Sequence, residues 1–185
     1  MTPANQDLEP GPGPILVLFV CLGNICRSPA AEGCFLHLMA REQLEDLFLV
    51  DSAGTGHWHV GKPADRRMQL AASHRGIVLP SRARQISRAD LQTFDQILTM
   101  DDDNLAQVRR LAGATPPRAT IGPITRYCRR HGLNEVPDPY YGGPDGFEQV
   151  LDLLEDACEG LLAALKPPGA NGSSVALAGP GGFRG

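Results

Sequence analysis

Ile15-Leu-Val-Leu-Phe-Val20 runs without a polar residue into Cys21-Leu-Gly-Asn-Ile-Cys-Arg27-Ser28-Pro29. A continuous apolar run rich in strand formers predicts a central strand buried on both faces, as in a parallel sheet. Ser28 and Pro29 read as the N-cap and first position of a helix that continues to about Arg41. The stretch is therefore strand, loop and helix, with the loop at the carboxyl end of the strand. In open α/β sheets that is where ligands bind.

Downstream, the pattern repeats. Leu47 to Val50 is a second apolar run, and Pro63 to Arg75 reads as a helix closed by Gly76. Ser87 to Asp90 resembles a helix start, and Asp95 to Met100 is a third strand candidate. Asp102 to Ala112 predicts a helix stopped by Gly113. Ala119 to Ile124 predicts a weaker strand, with a helical turn over Thr125 to Arg130. From Gly146 to Leu165 the apolar residues fall at helical spacing. Strands alternating with helices predict a three-layer α/β fold with a mainly parallel sheet. Residues 1–14 are rich in Pro, Gly and acids and are expected to form a flexible arm. Residues 166–185 are rich in Gly, Pro, Ser and Ala and are expected to be a disordered tail. The folded unit is then one domain over 15–165.

The loop after the first strand carries the chemistry. A Cys and an Arg spaced as in Cys21-x5-Arg27 close a cradle whose backbone N–H groups point inward, and the following helix dipole adds positive potential. A tetrahedral dianion fits there. Gly23 lets the chain turn close to a ligand. Asn24 takes a left-handed conformation or pins the loop with its side chain. Arg27 offers a two-pronged clamp that a Lys would not. The same field predicts that Cys21 loses its proton below the free-thiol value of about 8.5, making it a nucleophile at neutral pH. Ser28 is placed to donate to that sulfur. A bare Cys-x5-Arg also suits an ordinary turn with a packed Cys. The added Gly, Asn and Ser between strand and helix favour the anion loop.

Val136-Pro-Asp138-Pro-Tyr140-Tyr141-Gly142-Gly143 is the second chemical segment. Two prolines stiffen the chain around Asp138. Expelling a phenolate needs a proton donor, and a positioned carboxylic acid supplies one. The tyrosines can wall a slot for an aromatic leaving group.

Composition narrows the class. The apolar fraction is an ordinary 42%, and the net charge of −4 argues against general nucleic-acid binding. Five cysteines, Cys21, Cys26, Cys34, Cys128 and Cys158, carry no metal-site spacing. Free thiols fit a reducing, cytoplasmic setting. The first residues lack the pattern of a signal peptide, and Ile15 to Val20 is too short to span a bilayer, so no membrane association is expected.

These residues together resemble the low-molecular-weight protein tyrosine phosphatases. The resemblance rests on 20–32 (VCLGNICRSPAAE), 51–67 (DSAGTGHWHVGKPADRR), 82–86 (RARQI), Met100-Asp101 and 136–147 (VPDPYYGGPDGF), in the family's order. It implies a flavodoxin-like α/β/α fold with a four-stranded parallel sheet, and no metal and no cofactor. It implies a phosphatase that acts on phosphotyrosine proteins, a tyrosine kinase among them, as a monomer or weak homodimer. Carried over by motif, Cys21 is the nucleophile, Arg27 the phosphate binder and Asp138 the general acid and later base. Leu22, Gly23, Asn24, Ile25, Cys26 and Ser28 shape the phosphate loop. Trp58, Tyr140 and Tyr141 wall the ring slot, with His59 beside Trp58. Asp101 fixes Arg27, although a helix-capping acid is an equally good reading of its position. The family's neighbouring loop cysteine implies a reversible Cys21–Cys26 disulfide, against which stands a small packed residue at Cys26. Cys34 and Cys158 fall on apolar helix faces and read as core.

Two rival readings differ in class. An arsenate reductase of the same fold needs resolving cysteines in a loop after the third strand, and none lies between Cys34 and Cys128. A non-catalytic phosphoryl-binding module predicts a missing nucleophile or acid, and here both are present.

Overall fold

The computed structural model describes residues 13–169. The arm expected over 1–14 and the tail expected over 166–185 lie largely outside the described residues. Four strands alternate with five helices: β1 (Ile15–Cys21), α1 (Arg27–Glu42), β2 (Phe48–Gly54), α2 (Arg66–His74), α3 (Asp90–Thr93), β3 (Gln96–Thr99), α4 (Asp102–Ala112), β4 (Thr120–Pro123) and α5 (Pro144–Leu165). Short 3-10 turns at Glu45–Leu47 and Ile124–Tyr127 complete the order.

The sheet is wholly parallel, in the order β2-β1-β3-β4. β1 is central, pairing Val20 with Ala53 of β2 and with Thr99 of β3. Its alternation explains the unbroken apolar run. Val17 and Phe19 enter the core under α1 and α5, while Leu18 and Val20 enter the core under α3 and α4. Phe19 packs against Phe35 of α1, which meets Phe48 of β2 edge-to-face with ring centroids 5.4 Å apart. The chain leaves β1 toward β2 on one side and returns to β3 on the other. The carboxyl ends of β1 and β3 thus flank the crevice where this topology binds ligands.

Several element boundaries differ from expectation. Ser28 is not the N-cap of α1: the helix begins at Arg27 after Cys26, and no side chain caps it. The Ser28 hydroxyl is turned back into the loop instead. Pro63 to Asp65 are not helical, because Pro63 bridges to Arg82 and Asp65 caps α2 by accepting the Arg67 N–H. β2 extends past Val50 through Asp51 and Ser52 to Gly54, as its polar end meets the site. α5 opens at Pro144, at its first position, rather than at Gly146.

Candidate active site

The loop between β1 and α1 is turned with its carbonyls outward. Cys21 C=O accepts from Thr55 N–H at 2.9 Å, Leu22 C=O from Gly56 N–H at 2.9 Å, and Ile25 C=O from Asp65 N–H at 2.7 Å. Among the described residues, the N–H groups of Leu22, Gly23, Ile25 and Cys26 find no protein acceptor. A loop that ties off its carbonyls and leaves its N–H groups free beside a helix N-terminus is an anion cradle. Gly54 permits the close fit: a Cβ there would stand 2.8 Å from Leu22 O and 3.2 Å from Asn24 N.

Asn24 pins the loop from beneath. It sits in the left-handed region at φ 54°, which Asn tolerates better than most residues. Its side chain is buried and fully used. Nδ2 donates to Ser28 Oγ at 2.8 Å and to Ser52 Oγ at 2.9 Å, and Oδ1 accepts the Arg84 N–H at 2.9 Å. Ser52 donates onward to Glu32 at 2.5 Å. Burial pushes the Glu32 carboxyl above its usual range, against the opposing bonds from Ser52 and Ser81.

The Cys21 sulfur is buried and lies 3.0 Å from Ser28 Oγ. It accepts the Asn24 N–H at 3.3 Å. Since Asn24 donates into Ser28, the serine has one proton to place. Its two acceptors are Ala53 O at 3.3 Å and the sulfur, which is nearer.

Arg27 is almost wholly buried, and carboxylates meet its guanidinium at both ends. Nη1 donates to Asp101 at 2.6 Å and to Val136 O at 3.1 Å, and Nη2 donates to Asp138 at 3.1 Å. Burial works against the charge, but Cys21, Asp101 and Asp138 outweigh it and hold the pKa above its ordinary value. While one Asp101 oxygen accepts from Arg27, the other caps α4 by accepting the Asn104 N–H at 2.7 Å.

Cys21, Arg27 and Asp138 open into one cavity of about 400 Å³. Leu22, Gly23, Ile25 and Cys26 form its base, and Trp58, Tyr140 and Tyr141 its walls, with His59 added to them. Trp58 stacks on His57 and lies across Gly56, and the Tyr140 and Tyr141 rings meet edge-to-face at 5.0 Å. Trp58 is 62% and Tyr141 92% exposed, so the walls are a rim open to a large substrate. Asn24 and Ser28 lie behind the loop rather than in the cavity. The buried thiol of Cys26 is pushed up to about 12, chiefly by burial, then by Asp65, Cys21 and Asp138. Among the described residues, no cluster of His, Cys, Asp and Glu is arranged to hold a metal ion.

Glu32, Ser52 and Arg84 carry no role in the sequence reading, although they fall within the segments 20–32, 51–67 and 82–86. Asp65 and Arg67 likewise lie inside a matched segment without an assigned role.

The family model for low molecular weight phosphotyrosine protein phosphatase matches residues 16–170. YfkJ, a low molecular weight protein-tyrosine-phosphatase of Bacillus subtilis, is 44% identical over 153 residues, covering 82% of this chain and 96% of its own. Its crystal structure superposes with a TM-score of 0.78, covering 84% of this chain and 97% of that one. The Gallus gallus low molecular weight phosphotyrosine protein phosphatase is 40% identical, covering 79% of this chain and 92% of its own. A protein tyrosine phosphatase from Entamoeba histolytica, crystallised with Hepes in its active site, has a TM-score of 0.77 and 41% identity, covering 82% and 96% of the two chains. The chain belongs to the low molecular weight phosphotyrosine protein phosphatase family.

Proposed function

We propose that this phosphatase hydrolyses phosphotyrosine in proteins by two displacements through a phosphorylated Cys21. The observation that carries the reading is the convergence of the Cys21 sulfur, the Arg27 guanidinium and the Asp138 carboxyl on one cavity walled by aromatic rings. The loop N–H groups and Arg27 seat the three non-bridging oxygens. Fixed donors of this kind supply most of the acceleration in phosphoryl transfer. Cys21 attacks phosphorus as the P–O bond to the tyrosyl oxygen breaks, and Asp138 gives its proton to that oxygen. Asp138 then takes a proton from water as the water attacks phosphorus, and the sulfur leaves with both electrons. Ser28 donates to it at that moment. The Asp138 side chain is 41% exposed, which lets water reach it for the second step.

Asp138→Ala should slow phosphotyrosine cleavage by about a hundredfold or more, while a dinitrophenyl ester, whose leaving group needs no proton, loses far less. Equal losses on both substrates remove Asp138 from the acid role. A thiol-dependent arsenate assay tests the arsenate reductase alternative, and turnover of para-nitrophenyl phosphate tests the binding-module alternative.

Peroxide sensitivity belongs to the same reading. Peroxide oxidises the Cys21 sulfur to a sulfenic acid. The Cys26 thiol attacks that sulfur, water leaves, and a disulfide protects Cys21 until a thiol reduces it. Both cysteines line the cavity, and Cys26, held protonated, is the second to react. If Cys26→Ala recovers from peroxide as fully as wild type, this switch is absent. A cytoplasmic setting is supported by five free cysteines. Among the described residues no helix is long and apolar enough to cross a membrane.

A further inference from the structure

Arg67 commits all three of its guanidinium nitrogens to partners within the protein. Nε and Nη2 form a two-pronged pair with Asp65, both at 3.0 Å, and Nη1 donates to the carbonyl of Tyr140 at 3.1 Å. The flat of the guanidinium lies 5.3 Å from the Tyr140 ring centroid and 4.9 Å from that of Phe147. Asp65 in turn donates its N–H to Ile25 O in the phosphate loop. Asp65 and Arg67 thus join the loop holding Cys21 to the loop holding Asp138.

The acid loop has a second tether on its other side. Val136 donates its N–H to Met100 O at 2.8 Å and accepts from Arg27 Nη1 at 3.1 Å. Asp138 sits midway between Val136 and Tyr140, flanked by Pro137 and Pro139. With stiff flanks, its carboxyl position follows from where those two ends are fixed. The Asp138 carboxylate also accepts the Tyr140 N–H at 3.1 Å, so moving Tyr140 moves the acid.

We propose that Arg67 is a positioning residue, holding the Tyr140 end of the loop so that the Asp138 carboxyl stays in register with the Cys21 loop. This rests on Asp138 being the general acid. Arg67 does not line the cavity, and each of its guanidinium nitrogens already donates to Asp65 or to Tyr140. A Lys in its place keeps the charge but neither the fork nor the flat face that stacks on two rings. Truncation spares α2, since Asp65 caps the helix by accepting the backbone N–H of residue 67.

The test is kcat/KM on the full chain across aryl phosphates from dinitrophenyl phosphate to phosphotyrosine, for wild type, R67A, R67K, D65N and D138A. R67A is expected to lose on the order of tenfold on phosphotyrosine and little on the dinitrophenyl ester, a fraction of what removing the acid costs. R67K should behave like R67A, and D65N should show the same pattern more weakly while keeping its cap. Added to D138A, R67A should bring no further leaving-group dependence. Vanadate affinity should stay within about twofold of wild type, because the phosphate loop is left intact. A loss uniform across leaving groups, or none, in R67A overturns the proposal while D138A still identifies the acid. Should D138A itself show no leaving-group dependence, both assignments fall.

Discussion

The guanidinium of Arg27 donates to Asp101 at 2.6 Å, and Asp101 simultaneously caps α4 through Asn104. One carboxylate therefore meets both the start of a helix and the guanidinium that the proposed mechanism places on phosphate. Asp101→Asn separates the two duties, because Asn is also a good N-cap. The variant should melt close to wild type, while kcat/KM on para-nitrophenyl phosphate falls on the order of tenfold as Arg27 loses a charged partner. A fall in stability with unchanged activity would limit Asp101 to capping.

Replacing Arg27 by Lys should be far more damaging. A single ammonium cannot reach two phosphate oxygens and both carboxylates at once. We expect kcat/KM to drop by at least about a hundredfold, with vanadate inhibition weakened in parallel. Near-wild-type activity in Arg27→Lys would show that charge alone is sufficient.

Ser28→Ala removes the hydroxyl 3.0 Å from the sulfur. In the proposed mechanism the sulfur needs that donor most when it leaves, so breakdown of the phosphoenzyme should slow more than its formation. Rapid-mixing kinetics with para-nitrophenyl phosphate should then give a larger burst of nitrophenol and a slower steady rate. An unchanged burst with an unchanged rate contradicts the role of Ser28.

Gly54→Ala places a methyl group against Leu22 O and the Asn24 backbone, neither of which can yield as a flexible side chain would. The loop must shift or β2 must part from β1. A fall of about 1–3 kcal/mol in stability is expected, with vanadate affinity falling as well. Full vanadate affinity would mean that the loop does not need this close approach.

Glu32 carries a pH signature. Its carboxyl is raised in the folded state by burial, from an ordinary value of 4.5. The folded protein therefore holds a proton that the unfolded chain has released, and this contribution to stability fades as pH climbs through the folded pKa. Glu32→Gln retains an acceptor for Ser52 and removes the titration. Its melting temperature relative to wild type should rise as pH increases from about 4.5 toward neutrality. A difference that stays flat with pH contradicts the raised carboxyl.

The sequence made the central features legible for definite reasons. An apolar run lacking alternation required a strand covered on both faces, and β1 is that strand. The Cys21 to Ser28 loop was legible because its residue types are each unusual for a plain turn. Asp138 stood out between two prolines. Ser28 has the local pattern of a cap, whereas its actual partners Cys21 and Asn24 become neighbours only when the loop closes. The Ser52–Glu32 bond depends on the register of β2 beside β1 and the packing of α1. The Arg67 contact with Tyr140 spans 73 positions and is a fact of tertiary packing alone. Local pattern carries neither.

The most direct measurement is rapid acid quenching during turnover of para-nitrophenyl phosphate, followed by mass spectrometry of the Cys21 peptide. The mechanism requires one phosphoryl group on Cys21, forming within the burst and absent from Cys21→Ser, which should be inactive. A phosphoryl group on another residue, or steady turnover by Cys21→Ser, would contradict it.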